Sequence, residues 1–254
     1  MPGLRYSPKK HMGKVLIVQN KDYAGLTREV KAEDENLVKM KETLNKMGFT
    51  DACIEVHENQ TKSQMIQLLQ NMAARKDLED DYCFICMVLS YGQDGVITCY
   101  DETQSPKNPT AGMQLPVSEL QECLKGNKCR GLLLKPKIFM LQLEEAPGDK
   151  KDGTKAETEA PQPKKIPKEA DFLIYTCAKE IALATWIKGF EQYVLKPGQP
   201  GQPEHPLEIQ KLLTRMNRLY CKHYSDEKMT VDTPCVTSLL TREAYLKIEE
   251  PSPK

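Results

Sequence analysis

The chain has 254 residues, and 36 Lys+Arg balance 36 Asp+Glu, so its formal charge at neutral pH is zero. That length allows one large or two small domains with a sizeable core, and 39% hydrophobic residues are those of an ordinary globular protein. A balanced charge leaves no electrostatic footprint for nucleic acid or an anionic membrane, so neither is expected as a partner. The N-terminal stretch to Lys14 is basic but has no apolar run, so no secretory signal is expected. Nine cysteines, an odd number placed mostly inside apolar patterns, suggest reduced thiols. The expected location is the cytoplasm, with the nucleus as a second compartment.

Residues 14–19 (KVLIVQ) form a β-branched run that predicts a strand. From Glu33 to Met47, acidic residues come first, Leu37, Met40, Leu44 and Met47 share one helical stripe, and Gly48 stops the helix. A short strand is expected over 52–56. Thr61 with Gln64 reads as a capping box opening a helix that turns Met65, Leu68, Leu69 and Met72 inward. Residues 82–89 (YCFICMVL) and 137–143 (KIFMLQL) are continuous apolar runs, as in strands buried on both faces of a parallel sheet. A weak helix lies between them at 117–124. The stretch 146–168 has almost nothing to bury and reads as a flexible linker. Beyond it come a strand over 170–176, a Pro/Gly-rich loop over 197–206, a helix over 207–220 and a last strand over 235–240. The alternation predicts an α/β fold, a three-layer α/β/α sandwich with a mostly parallel central sheet.

Some chemical signals have plainer readings. Cys83 and Cys86 suggest a redox or metal pair, but positions i and i+3 of a strand face opposite ways. Cys123 and Cys129 lack further ligands, and His57, His205 and His223 are scattered along the chain. No metal and no cofactor are therefore expected.

A denser pattern lies along the chain. Ser90-Tyr91-Gly92-Gln93-Asp94-Gly95 follows one buried strand, Lys135-Pro136-Lys137 leads the next, and Gln142 ends it. Downstream stand Ile166-Pro167, Glu169-Ala170-Asp171-Phe172-Leu173, Thr185-Trp186 and Thr233-Pro234-Cys235-Val236-Thr237-Ser238-Leu239-Leu240-Thr241. In order and spacing these resemble the caspase family, and residues 115–141 resemble its epidermal type. The resemblance implies a large-subunit-like half at 13–145, the linker 146–168, and a small-subunit-like half at 169–248. It places possible linker cleavage at Asp149 and Asp152.

The family's chemistry uses a cysteine nucleophile with a histidine about 50 residues upstream. Here the histidine position of S-H-G-x-x-G falls on Tyr91 and the cysteine position of Q-A-C-R-G falls on Glu144, 53 residues apart. A phenol with a pKa near 10 is a poor general base at neutral pH, and a carboxylate attacking a peptide forms an anhydride that reverts. The resemblance also implies a pocket for aspartate built from two arginines and a glutamine. Arg28 and Gln142 match two of these and Trp186 a third landmark, while the second arginine's place is Ile187. The expected function is a catalytically inactive caspase-like protein acting by protein binding in apoptosis or epithelial differentiation. Its partner would be itself or another caspase, met through the C-terminal strand of Cys235, Val236, Thr237, Ser238, Leu239 and Leu240. The alternative is a cysteine-type endopeptidase with a displaced nucleophile, for which Cys177 is the candidate.

Overall fold

The structure, a computed structural model, describes residues 4–28, 31–147, 170–178, 181–200, 202–226 and 233–247. Strand β1 (His11–Gln19) is followed by a ribbon of β2 (Asp22–Tyr23) and β3 (Leu26–Thr27), then helix α1 (Lys31–Lys46). Next come β4 (Ile54–Glu58), α2 (Lys62–Ala73), β5 (Asp81–Gln93), a ribbon of β6 (Val96–Thr98) and β7 (Gln114–Pro116), α3 (Val117–Cys123) and β8 (Lys137–Glu144). After the linker stand β9 (Phe172–Cys177), α4 (Ala182–Phe190), α5 (Ile209–Asp226) and β10 (Cys235–Ser238). The main sheet has the order β10-β9-β8-β5-β1-β4, parallel from β9 to β4, with β10 antiparallel at one edge.

Strand periodicity divides the core in two. On β5, Cys83, Ile85, Met87 and Leu89 face one layer while Phe84, Cys86 and Val88 face the other. The first layer packs Leu37, Met40 and Leu44 of α1, Leu183 and Trp186 of α4, and Leu212 and Met216 of α5. The second takes Met65, Leu69 and Met72 of α2 and Leu120 of α3. Each such side chain contributes roughly 1.5–3 kcal/mol of burial, so a strand apolar on both faces is stable only between two helical layers. This is the α/β/α sandwich expected from the alternation. The same division disposes of the Cys83–Cys86 pair, whose thiols lie in different layers; Cys83 donates to the Met12 carbonyl at 3.2 Å.

The capping box forms as expected. The Thr61 amide donates to Gln64 Oε1 at 2.9 Å, and the Gln64 amide donates to Thr61 Oγ1 at 3.3 Å. Other elements depart from expectation. Leu68 is only half-buried, because α2 turns its narrower Met65–Leu69–Met72 stripe inward. Residues 51–53 make a 3-10 turn, and the strand begins at Ile54. The strand expected over 235–240 ends at Ser238, so Leu239 and Leu240 lie beyond it. Leu239 still holds β9 by donating to the Phe172 carbonyl at 2.7 Å. The helix expected from 207 starts at Ile209 and runs on to Asp226. Helix α4 and the π-helical turn Glu191–Leu195 that follows it were not anticipated.

Main-chain pairing of β8 with β9, from Lys137 opposite Phe172 to Gln142 opposite Cys177, joins the chain before residue 148 to the chain after residue 169. Of residues 146–168 only the first two are described, so Asp149 and Asp152 lie outside the described residues.

Candidate functional site

The carboxyl ends of β1, β5 and β8 meet beside the β2–β3 ribbon, where open parallel sheets place their ligands. The register sets Tyr91 of β5 directly opposite Glu144 of β8, so two positions 53 residues apart in sequence become cross-strand neighbours. Tyr91 is buried, with its ring centroid 5.3 Å from that of Tyr23 and the Arg28 guanidinium 5.6 Å from its ring centre. Burial lifts the Tyr91 phenol above its ordinary value; Arg28 draws it down and Glu144 pushes it up, with a net rise. A phenol moved further from neutrality is a still poorer general base.

Arg28 lies at the centre of a closed network. Its Nη1 donates to the Asn20 carbonyl at 3.0 Å and to Glu33 Oε1 at 3.3 Å, and its Nη2 donates to Glu33 Oε2 at 3.0 Å. The same Nη2 also contacts the Glu144 carboxylate. Gln142, fully buried, donates through Nε2 to Glu33 at 2.8 Å and to Glu144 at 2.9 Å, while its Oε1 accepts from the Leu183 amide of α4 at 3.2 Å. Gln19 adds bonds to Glu33 at 2.7 Å and Asp34 at 2.9 Å. Burial opposes the charge on Arg28, but attraction to Glu33 and Glu144 outweighs it and holds the guanidinium above its ordinary pKa. Two carboxylates against one guanidinium leave the cluster net negative. A further acidic side chain would meet repulsion and a cation whose Nη1 and Nη2 donors are already taken.

Glu33 is a site residue that sequence alone does not single out. Its place in the first turn of α1 suits an acidic side chain, yet it lies on the same inward stripe as Leu37, Met40 and Leu44 and is buried. A carboxylate on a core-facing stripe must be paired, and that was the available signal.

The remaining candidates are dispersed. Trp186 is fully buried in the α4 core, its ring 6.3 Å from Tyr175, and it faces no open groove. Ile187 packs in the same core. Cys177 ends β9 opposite Gln142 at 1% exposure, and burial pushes its thiol up to about 12. A buried thiol raised in this way stays protonated near neutral pH, so it is an inert group. An electrophilic aspartyl peptide is therefore expected to leave Cys177 unmodified, as read by intact mass and peptide mapping; stoichiometric labelling there would reverse this. A cavity of about 370 Å3 lies alongside, lined by Gly92, Gln93, Lys107, Gln114 and Glu145 among others, but not by Arg28, Tyr91 or Glu144. Among the described residues no group of His, Cys, Asp or Glu is arranged to hold a metal ion.

A caspase-domain family model matches residues 12–245, almost the whole chain. The chain belongs to the caspase family. Caspase-7 of Gallus gallus is 29% identical over 264 residues, covering 93% of this chain and 77% of the relative. Caspase-3 of Bos taurus is 28% identical, covering 92% and 84% respectively. Among solved structures, one described as pro-sf-caspase-1 superposes with a TM-score of 0.71 at 19% identity, over 96% of this chain and 98% of that one, a likeness of fold. Within the caspase fold, the Arg28–Glu33–Gln142–Glu144 cluster thus occupies the carboxyl-end crevice of the sheet.

Proposed function

We propose that this caspase-family chain is a catalytically inactive homologue, of the family's epidermal type, that acts by binding in caspase pathways of apoptosis or epithelial differentiation. The observation that carries the reading is the Glu144 carboxylate bound to Arg28 and Gln142 where the family's pattern places a nucleophile and its acid-recognising groups. Glu144 carries no thiol, the raised Tyr91 phenol is a poor base near neutral pH, and the buried Cys177 is no substitute. The wild-type chain is expected to turn over no Asp-containing peptide at high protein concentration, in an assay where an active caspase serves as positive control. Measurable cleavage by the wild type would overturn the reading.

Binding is assigned to the β10 edge, in the cytoplasm. Cys235, Val236 and Thr237 are exposed, and among the described residues the outer side of β10 has no partner strand. An unpaired edge with an apolar Val236 is a template for a second strand, supplied by another copy or another caspase. Val236→Asp is expected to weaken self-association about tenfold, the effect of roughly 1.4 kcal/mol, as measured by sedimentation equilibrium. A wild type that stays monomeric alone and with active caspases would remove this assignment.

A further inference from the structure

Helix α5 turns Leu212, Leu213, Met216 and Tyr220 into the core, which leaves Arg215 and Arg218 on its outer face one turn apart. Both arginines line a cavity of about 320 Å3, walled by Tyr193 of the π-helical turn and by Gln202, Pro203 and Leu207 of the loop before α5. Main-chain bonds fix these walls: the Leu207 amide donates to the Tyr193 carbonyl at 3.1 Å, and the Gln202 amide to the Gln199 carbonyl at 2.8 Å. Among the described residues neither arginine takes part in an ion pair.

We infer that this cavity binds a small phosphate-bearing molecule, with Arg215 and Arg218 on the oxyanion. The guanidinium fork matches phosphate oxygens in pairs, and two cations a helical turn apart suit a group carrying two charges and at least three acceptor oxygens. A single carboxylate, with one charge and two oxygens, would leave one guanidinium unanswered. The cavity's size is at the small end of ligand sites, which favours a compact phosphate ester over a folded partner. None of Arg28, Tyr91, Gln142 and Glu144 lines this cavity, so the inference stands apart from the question of peptidase activity.

The test is calorimetric titration of the full chain with inorganic pyrophosphate, with succinate as the carboxylate comparison. Pyrophosphate is expected to bind with Kd of about 1 mM or tighter. Arg215→Gln and Arg218→Gln are each expected to weaken it about tenfold, and both together to abolish it; as exposed positions, they leave the melting temperature of the unliganded chain in place. The inference is overturned if pyrophosphate gives no binding up to about 10 mM, if the double variant binds as the wild type does, or if succinate binds more tightly than pyrophosphate.

Discussion

Replacing Arg28 with methionine is expected to destabilise the fold by about 3–5 kcal/mol, the range for removing one partner of a buried ionic group. The substitution keeps most of the side chain's length and apolar volume, so the loss reports charge more than packing. Glu33, with a side chain 5% exposed, and Glu144, at 20%, would face each other across the vacated guanidinium. Gln142 cannot compensate, because its amide already donates to both. Left unpaired, these carboxylates repel each other in a largely buried place. Urea unfolding at pH 7 measures the loss. Glu33→Gln placed in the Arg28→Met background should recover a large part of the loss by removing one buried charge. A loss below about 1 kcal/mol would show that the network is solvated and not a closed cluster.

Gly13→Ala is expected to be at least as damaging, for a different reason. Gly13 sits within β1 opposite Cys83 of β5 with φ near +130°, and a Cβ built there would lie 1.8 Å from the Cys83 carbonyl oxygen. Relief requires β1 and β5 to separate, and these are neighbouring central strands of the sheet. Both the left-handed dihedral and the collision oppose folding, and the expected cost is about 4–5 kcal/mol or more, with loss of soluble protein as the visible sign. Gly25 provides the control. Its φ is +67°, but a Cβ there meets nothing within 4 Å, so Gly25→Ala carries only the dihedral cost of about 1–2 kcal/mol. The difference in melting temperature between the two variants separates collision from backbone strain. Equal effects would mean that the β1–β5 contact is looser than the structure shows.

The periodicities that could be read from local sequence are those enforced by local physics. The capping box at Thr61 needs only residues three apart, and the β5 and β8 runs declare two buried faces by having no polar alternation. Helix α4 escapes a sequence reading because it is short: Leu183, Trp186, Ile187 and Phe190 stand at i, i+3, i+4 and i+7, a single repeat within nine residues. Gly189 is tolerated there because Met216 packs over it, so close that a Cβ would lie 2.5 Å from Met216 Cγ, a contact between α4 and α5 that sequence does not announce. The short β2–β3 and β6–β7 ribbons likewise depend on what they lie against more than on their own two or three residues.

For the site, sequence alone determined which groups Tyr91, Glu144, Arg28 and Gln142 carry, because residue identity settles what chemistry a side chain can supply. What those side chains touch was decided only by the tertiary structure. Parallel register brings Tyr91 opposite Glu144, and the inward turn of α1 delivers Glu33 to Arg28. A buried cation takes whichever carboxylates folding brings within reach, and that depends on contacts across more than a hundred residues of chain, such as Arg28 with Glu144 at a separation of 116.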